Sequence, residues 1–230
     1  MHTFLTPDPI TCEVRNSAGA VTVDLSGTGS MTTVEIMATD DQPGGFLDDV
    51  IRSVSGWGKS PEPAPGLTDD AVEDVVVEFQ NGKLIVDSEP ARRRWHSGFI
   101  VRITAPRGSG VRARTDSAAV AVTGTADRIE IKTGSGAVNV ESCNGNAMVR
   151  TVSGDVDVRD ATKGTIDLAA VSGSLSIGVH AGVAARVDLT TVSGTATSAL
   201  PILGPIDGSE LTIKGRTVSG GISLGSAAAA

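Results

Sequence analysis

The second half of the chain repeats a short pattern of alternating apolar and polar residues around a Ser-Gly step. In "RTVSGDVDVRD", residues 150–160, Val156 and Val158 alternate with Asp155 and Asp157. Variants of this phrase are centred on five glycines: Gly136, Gly154, Gly173, Gly194 and Gly220. The steps between these glycines are 18, 19, 21 and 26 residues, and self-similarity at such a period is typical of stacked repeat folds.

Each repeat is predicted to hold two short strands joined by a corner. Alternation with a period of two indicates a half-buried strand. The Ser-Gly step between two such runs is typical of a turn, where glycine tolerates positive φ. Stacking would place equivalent residues side by side, in an apolar ladder of Val138, Val156, Leu175, Ala196 and Ile222 and an outward polar ladder of Asn139, Asp157, Ser176, Thr197 and Ser223.

The first half contains related elements. "RNSAGAVTVDL" (15–25) resembles a further copy of the repeat, and residues 98–106 have the composition of a strand. Residues 75–88 predict a β-hairpin, because Asn81-Gly82 separates two alternating runs.

Residues 40–74 differ in composition and are predicted to form an insert on the β framework. Residues 44–58 have apolar residues at helical spacing, and residues 59–66 are rich in proline. Thr68 suits the N-cap of a second short helix.

The pattern as a whole predicts an all-β fold, a single-domain β-solenoid-like stack of short strands with 18–26-residue repeats and a short helical and loop insert. The domain is expected to span 10–226, with regular repeats over 111–226. Residues 1–9 are expected to be a flexible N-terminus, and the four alanines at 227–230 a cloning remnant.

Composition narrows the class of function. Aromatic residues make up 3% of the chain, tyrosine is absent, and no aromatic residue follows Phe99. Faces that bind sugars or single strands usually present stacking rings, so both functions are disfavoured for the repeats. The net charge is −8, with the acidic excess in residues 1–100, which argues against a nucleic-acid partner.

The N-terminus and the cysteines indicate a cytoplasmic protein. The sequence begins without the basic and apolar regions of a signal peptide, and no segment approaches the ~20 apolar residues of a transmembrane helix. Cys12 and Cys143 have no metal or redox spacing and are expected to be reduced core residues.

The chain resembles a known bacterial family. The hairpin "VVVEFQNGKLIVDSEP", the stretch "FIVRITAPRGSGVRARTDSAAVAVTG" and the "TVSG" series are similar to the putative-adhesin domain family of unknown function, also called the toast-rack domain. The resemblance covers about residues 10–226. It implies a β-solenoid-like stack and a non-enzymatic binding or assembly module. Members of the family are attached to envelope-stress membrane proteins or stand alone in the cytoplasm. The resemblance transfers no site residues.

No catalytic or metal-binding pattern is found in the sequence, and no cofactor is expected. His2, His96 and His180 are isolated and do not form a metal-ligand pattern. Asp155 and Asp157 would share a strand face, but only one repeat has this pair, so a solvated surface is favoured.

One basic patch is a candidate anion site. It consists of Arg92, Arg93, Arg94, Trp95 and His96. Arginine beside an aromatic ring can hold phosphate or carboxylate. The simpler interpretation is a solvated loop that pairs with acidic residues of the insert.

The residue before each Ser-Gly step leaves two interpretations open. It is valine in four repeats, at Val152, Val171, Val192 and Val218. Burial at the corner is the favoured interpretation. The alternative is an exposed apolar strip that would contact a partner or a second copy.

The sequence therefore favours a non-catalytic binding or scaffold module that acts through protein–protein contact or self-association, with no ligand identified. The "GGISLGS" segment (220–226) is expected to end the stack with an unpaired edge. Two alternatives stay open: a small anionic-ligand sensor in which 40–74 closes over the Arg92–His96 loop, and a carbohydrate-active hydrolase or lyase on a β-helix.

Overall fold

The computed structural model describes residues 1–39, 72–89, 91, 98–200 and 211–227. The predicted helix within 44–58, the proline-rich loop at 59–66 and the Thr68 N-cap lie outside these residues. At the end of the insert, Val72–Val75 form a single turn in which the N–H of Val75 donates to the carbonyl of Val72 at 3.2 Å.

Seventeen strands make up the described part of the chain. The first eight are β1 (His2–Leu5), β2 (Thr11–Arg15), β3 (Gly19–Gly27), β4 (Met31–Thr39), β5 (Val76–Gln80), β6 (Lys83–Asp87), β7 (Gly98–Pro106) and β8 (Gly110–Thr115). The other nine are β9 (Ala119–Thr133), β10 (Val138–Thr151), β11 (Val156–Ala161), β12 (Gly164–Ser172), β13 (Leu175–Val179), β14 (Ala185–Ser193), β15 (Ala196–Ser198), β16 (Leu211–Ser219) and β17 (Ile222–Ser226).

The strands form one continuous sheet with two faces that enclose the core. The first face has the order β1-β4-β7-β3-β9-β10-β11-β13-β17-β15, and the second has β5-β6-β2-β8-β9-β10-β12-β16-β14. The long strands β9 and β10 pass from the first face to the second. A layer is one strand in each face, and from β7 and β6 onward successive layers pair in parallel. This arrangement confirms the predicted β-solenoid-like stack.

In-register stacking explains the core. Val138 pairs with Val156, and Val156 with Leu175, so the predicted apolar ladder exists. Its inward side chains join those of the opposite face, such as Ile131 and Leu168, in one buried cluster. Fully burying a side chain of this kind contributes about 1.5–3 kcal/mol.

The last two repeats are exchanged relative to their order in the chain. Leu175 pairs with Ile222, and Ile222 pairs with Ala196, so the final repeat lies inside the penultimate one. The expectation that "GGISLGS" ends the stack is therefore wrong. The inner position goes to the more apolar repeat, whose Ile213 and Ile222 are buried. The 26-residue step from Gly194 to Gly220 is enough for the chain to return from the outermost layer to the position inside it.

The N-terminal copy is also inserted out of order. β2 lies between β6 and β8, and β3 lies between β7 and β9. The copy formed by β2 and β3 and the last repeat, formed by β16 and β17, thus each occupy an interior layer.

The N-terminal end of the stack is covered by antiparallel strands. β4 pairs with β7, β1 pairs with β4, and β5 pairs with β6. Residues 2–5, expected to be flexible, therefore form an edge strand instead. The predicted hairpin is confirmed: Asn81 (φ 51°) and Gly82 (φ 71°) form the turn between β5 and β6.

Candidate functional site

The Thr-Val-Ser-Gly corner is held by one hydrogen bond and one close approach of two main chains. The backbone N–H of Gly154 donates to Oγ1 of the buried Thr151 at 2.9 Å. Gly154 faces the carbonyl oxygen of Gly136 in the neighbouring layer, and a Cβ atom on Gly154 would overlap that oxygen. Only glycine fits this position without a shift of the backbone.

The same close approach recurs along the stack. An added Cβ would overlap the neighbouring carbonyl oxygen in four further pairs: Gly136 with Ala118, Gly173 with Gly154, Gly220 with Gly173, and Gly194 with Gly220. The expectation that these glycines provide positive φ is wrong for four of them, because Gly136, Gly154, Gly173 and Gly194 do not have it. Their role is to allow the main chains of neighbouring layers to approach closely, because they have no Cβ atom.

A column of threonines, which was not among the residues predicted from the sequence, lies beneath the corners. Thr133 Oγ1 accepts a hydrogen bond from the N–H of Gly136 at 3.1 Å, as Thr151 does for Gly154. The Oγ1 atoms of Thr191 and Thr217 are buried without a hydrogen-bond partner. Because threonine recurs three residues before four of the five corner glycines, the sequence did contain a signal for this column.

The four valines before Ser-Gly are exposed, so the favoured interpretation of burial is wrong. Their exposed fractions are 55% for Val152, 48% for Val171, 48% for Val218 and 79% for Val192. The reason is that strand alternation continues into the corner: the residue before each valine, which is threonine in three repeats and Ala170 in the fourth, points inward, and the valine points outward. In the order of the layers, these residues form a valine row that ends at Val192 on β14.

The end of the stack beyond β14 and β15 is open within the described residues. Val187 on β14 lies in register with Ile213 and points toward the core, yet it is 39% exposed. Ile213 and Ile166, which occupy the same ladder in deeper layers, are fully buried. The difference arises because no described strand pairs with the outer edge of β14.

Charged side chains cover the outer side of the second face. Glu13, whose side chain is 11% exposed, pairs with Lys83 at 2.7 Å and with Arg15 at 3.3 Å. Its pKa is lowered, first by the hydrogen bond from Lys83 and further by the charges of Lys83, Arg15 and Arg112, against the opposing effect of burial. Arg112 bridges the layers, with ion pairs to Glu13 and to Glu130.

Asp155 and Asp157, which were considered as a catalytic acid pair, and His180 each contact a different group. Asp155 Oδ1 accepts a hydrogen bond from the backbone of Ser174 at 2.7 Å, while Asp157 pairs with Arg159 at 3.4 Å. The two carboxylates therefore bind different groups. His180 Nδ1 lies 3.0 Å from Asp160 on the surface. His2 lies on β1. The candidate anion site at Arg92–His96 lies outside the described residues.

Both cysteines are buried and free. Burial raises the pKa of Cys12 to about 12 and also raises the pKa of Cys143. Among the residues that the structure describes, no group of three His, Cys, Asp or Glu side chains could hold a metal ion. No helix in the same residues has the length and apolar character to cross a membrane.

The fold and the corner define a class of protein, a parallel β-solenoid with glycine corners and capping strands at one end. The family comparison is consistent with this class. The chain belongs to the Toastrack DUF4097 family, whose model matches residues 69–224.

Two solved structures match the chain over most of its length. One is "a putative cell adhesion protein" from Clostridium sporogenes, 8% identical, with a TM-score of 0.49, covering 98% of both chains. The other is "a putative adhesin" from Bacteroides fragilis, 12% identical, with a TM-score of 0.47, covering 98% of this chain and 95% of that one. No curated protein matches the chain.

Proposed function

We propose that this protein is a non-catalytic binding or scaffold module that self-associates through the open end of its stack. The observation that carries the proposal is Val187, which points toward the core from β14 and is 39% exposed. A second chain placed against β14 would cover this side chain and also pair the free strand edge.

The charges beside Val187 favour a second copy as the occupant. Arg186 and Asp188 flank Val187, and both lie on the outer side of the face, in register with Thr212 and Lys214. If two β14 strands pair antiparallel about Val187, each Arg186 lies opposite the Asp188 of the other chain. Opposite charges on directly opposed residues stabilise a strand pair.

The two ends of the stack differ in a way that favours a closed dimer. β14 offers a nine-residue edge. At the other end the outermost strands are short and antiparallel, with four residues in β1 and five in β5. Short edge strands are poor templates for pairing. Contact through the same end of both chains gives a two-fold dimer rather than a filament.

The valine row extends this surface along the side of the stack. Val192, its most exposed member, lies on β14 itself, and Val218 lies on the adjacent strand. A partner seated on the end of the stack would therefore also cover the last part of the row. Contiguous apolar surface of this kind marks interaction sites.

The proposed role is binding without catalysis, in the cytoplasm, and without a cofactor. The partners found for Asp155 and Asp157 support the absence of a catalytic acid pair, because each carboxylate serves a structural contact. The anion-sensor alternative depends on Arg92–His96 and on the insert at 40–74, of which the structure describes only residues 72–74, so it stays a prediction.

Sedimentation velocity over a wide range of protein concentration tests the proposal. The wild type is expected to shift from monomer to dimer as concentration rises. Arg186→Asp and Asp188→Arg should each weaken the dimer, because each places like charges opposite one another. The double variant restores the opposite pairs and should restore dimerisation.

Arg128→Asp is the matched control, since Arg128 is an exposed arginine on the same face at a distant layer. It should leave dimerisation unchanged. A wild type that is monomeric at all concentrations overturns the proposal of self-association. A dimer that the two single variants do not weaken overturns the assignment to β14.

A further inference from the structure

The outer side of the second face carries a row of four cations on adjacent strands. Arg15 of β2 is in register with Arg114 of β8, Arg114 with Lys132 of β9, and Lys132 with Arg150 of β10. Neighbouring strands are about 4.8 Å apart. Like charges directly beside each other destabilise a sheet unless carboxylates offset them.

Carboxylates offset three of the four cations. Arg15 lies 3.6 Å from Asp87 and Lys132 lies 3.7 Å from Glu130. Arg150 makes two hydrogen bonds to Asp167, at 2.9 and 3.2 Å.

Arg114 is the exception, and the reason lies in its own strand. β8 presents two outward arginines and no carboxylate. Arg112 takes the neighbouring carboxylates, with contacts to Glu130 at 2.9 Å and to Glu13 at 3.9 Å. Among the described residues, no carboxylate forms an ion pair with Arg114, which lies between two further cations.

A surface pocket lies at this position. Arg15, Arg114 and Lys132 line it together with Ser17, Thr115 and Thr133, and Glu89 and Asp116 also contribute. The cations outnumber the carboxylates, and the Glu89 carboxylate already accepts a hydrogen bond from Ser17.

We propose that this pocket binds a phosphate group, either as inorganic phosphate or as the monoester of a small ligand, with Arg114 as the principal contact and Lys132 as the second. The planar guanidinium group matches a tetrahedral oxyanion with two parallel hydrogen bonds. The carboxylates at the pocket restrict the ligand to a compact anion and disfavour an extended polyanion. This site is separate from the open end of the stack.

Titration of the full chain followed by ¹H–¹⁵N NMR tests the proposal, with inorganic phosphate and phosphoserine as separate probes and chloride at equal ionic strength as the blank. Saturable shifts are expected at Thr115, Asp116 and Gly134. Arg114→Gln should weaken binding by about tenfold or more, the loss expected for one charge-assisted pair. Arg128→Gln, which removes an equal charge from the same face, should leave binding unchanged.

Thermal unfolding separates binding from a structural role. Without phosphate, Arg114→Gln should keep or raise the unfolding temperature, because it removes repulsion within the row. Phosphate should raise the unfolding temperature of the wild type and not that of Arg114→Gln. The proposal is overturned if the wild type shows no saturable shift with either probe, or if Arg128→Gln weakens binding as much as Arg114→Gln.

Discussion

Gly154 lies against the carbonyl oxygen of Gly136, closer than any side chain would allow. This contact repeats from layer to layer, and it explains why Ser-Gly recurs in the sequence. Because two main chains meet here, the glycine is a structural necessity of stacking. The valines that precede Ser-Gly take no part in this contact, and they are exposed.

Replacing Gly154 with alanine is expected to destabilise the fold. The new Cβ would overlap a backbone oxygen that cannot move without shifting a whole layer, which should cost about 1–3 kcal/mol. Gly225→Ala is the control, because Gly225 lies in β17 with no atom near the position of an added Cβ. Urea unfolding should place the control within about 0.5 kcal/mol of the wild type. Equal losses for both variants would contradict the contact.

The threonine column predicts opposite results for two identical substitutions. Thr151→Val removes the acceptor of the Gly154 N–H and should cost about 1–3 kcal/mol, since a buried donor loses its partner. Thr217→Val removes a buried hydroxyl that has no partner, and it should be neutral or stabilising. Chemical unfolding of the two variants decides the point, and similar losses for both would refute the assigned hydrogen bonding.

Val171→Asp should leave the folded state intact. Val171 is 48% exposed, so the carboxylate of an aspartate at this position would reach water. Val138→Asp is the buried counterpart, and it should unfold the chain because the carboxylate would lie unpaired in the core. Circular dichroism and urea unfolding measure both effects. Loss of structure in Val171→Asp would mean that the valine row belongs to the core.

Glu13 predicts a pH dependence of stability. Its pKa in the folded protein lies below the ordinary value of 4.5, chiefly because of Lys83. A carboxyl group with a lowered pKa stabilises the fold above its unfolded pKa, and this contribution is lost as pH falls through the folded pKa. The unfolding free energy of the wild type should therefore fall more steeply in acid than that of Glu13→Gln. If the unfolding free energies of the two proteins changed equally with pH, the result would contradict a stabilising role of the Glu13 ion pairs.

The sequence predicted the layers well because each layer depends on local alternation. The ladder from Val138 to Leu175 and the Asn81-Gly82 hairpin follow from patterns within a few residues. The exchange of the last two layers could not be predicted in this way, since every repeat has a compatible strand pattern. The order depends on which of the two repeats, that of Ile222 or that of Ala196, would lose more free energy of burial by facing solvent.

The candidate surfaces were less predictable. The direction of Val152 depends on whether alternation survives the corner, which backbone geometry decides. The cation row did have a signal, because Arg114, Lys132 and Arg150 are each 18 residues apart. The absence of an ion-pair partner for Arg114 within the described residues could not be seen, since it depends on Arg112 taking carboxylates from two neighbouring strands.

The most direct test of self-association through the open end is amide hydrogen exchange of β14 at several protein concentrations. In the monomer the outward N–H groups of residues 185–189 face solvent and should exchange quickly. In the proposed dimer they pair with the other chain, so their exchange should slow as concentration rises, while that of β1 and β5 stays constant. Exchange of residues 185–189 that is equally fast at every concentration would contradict the account.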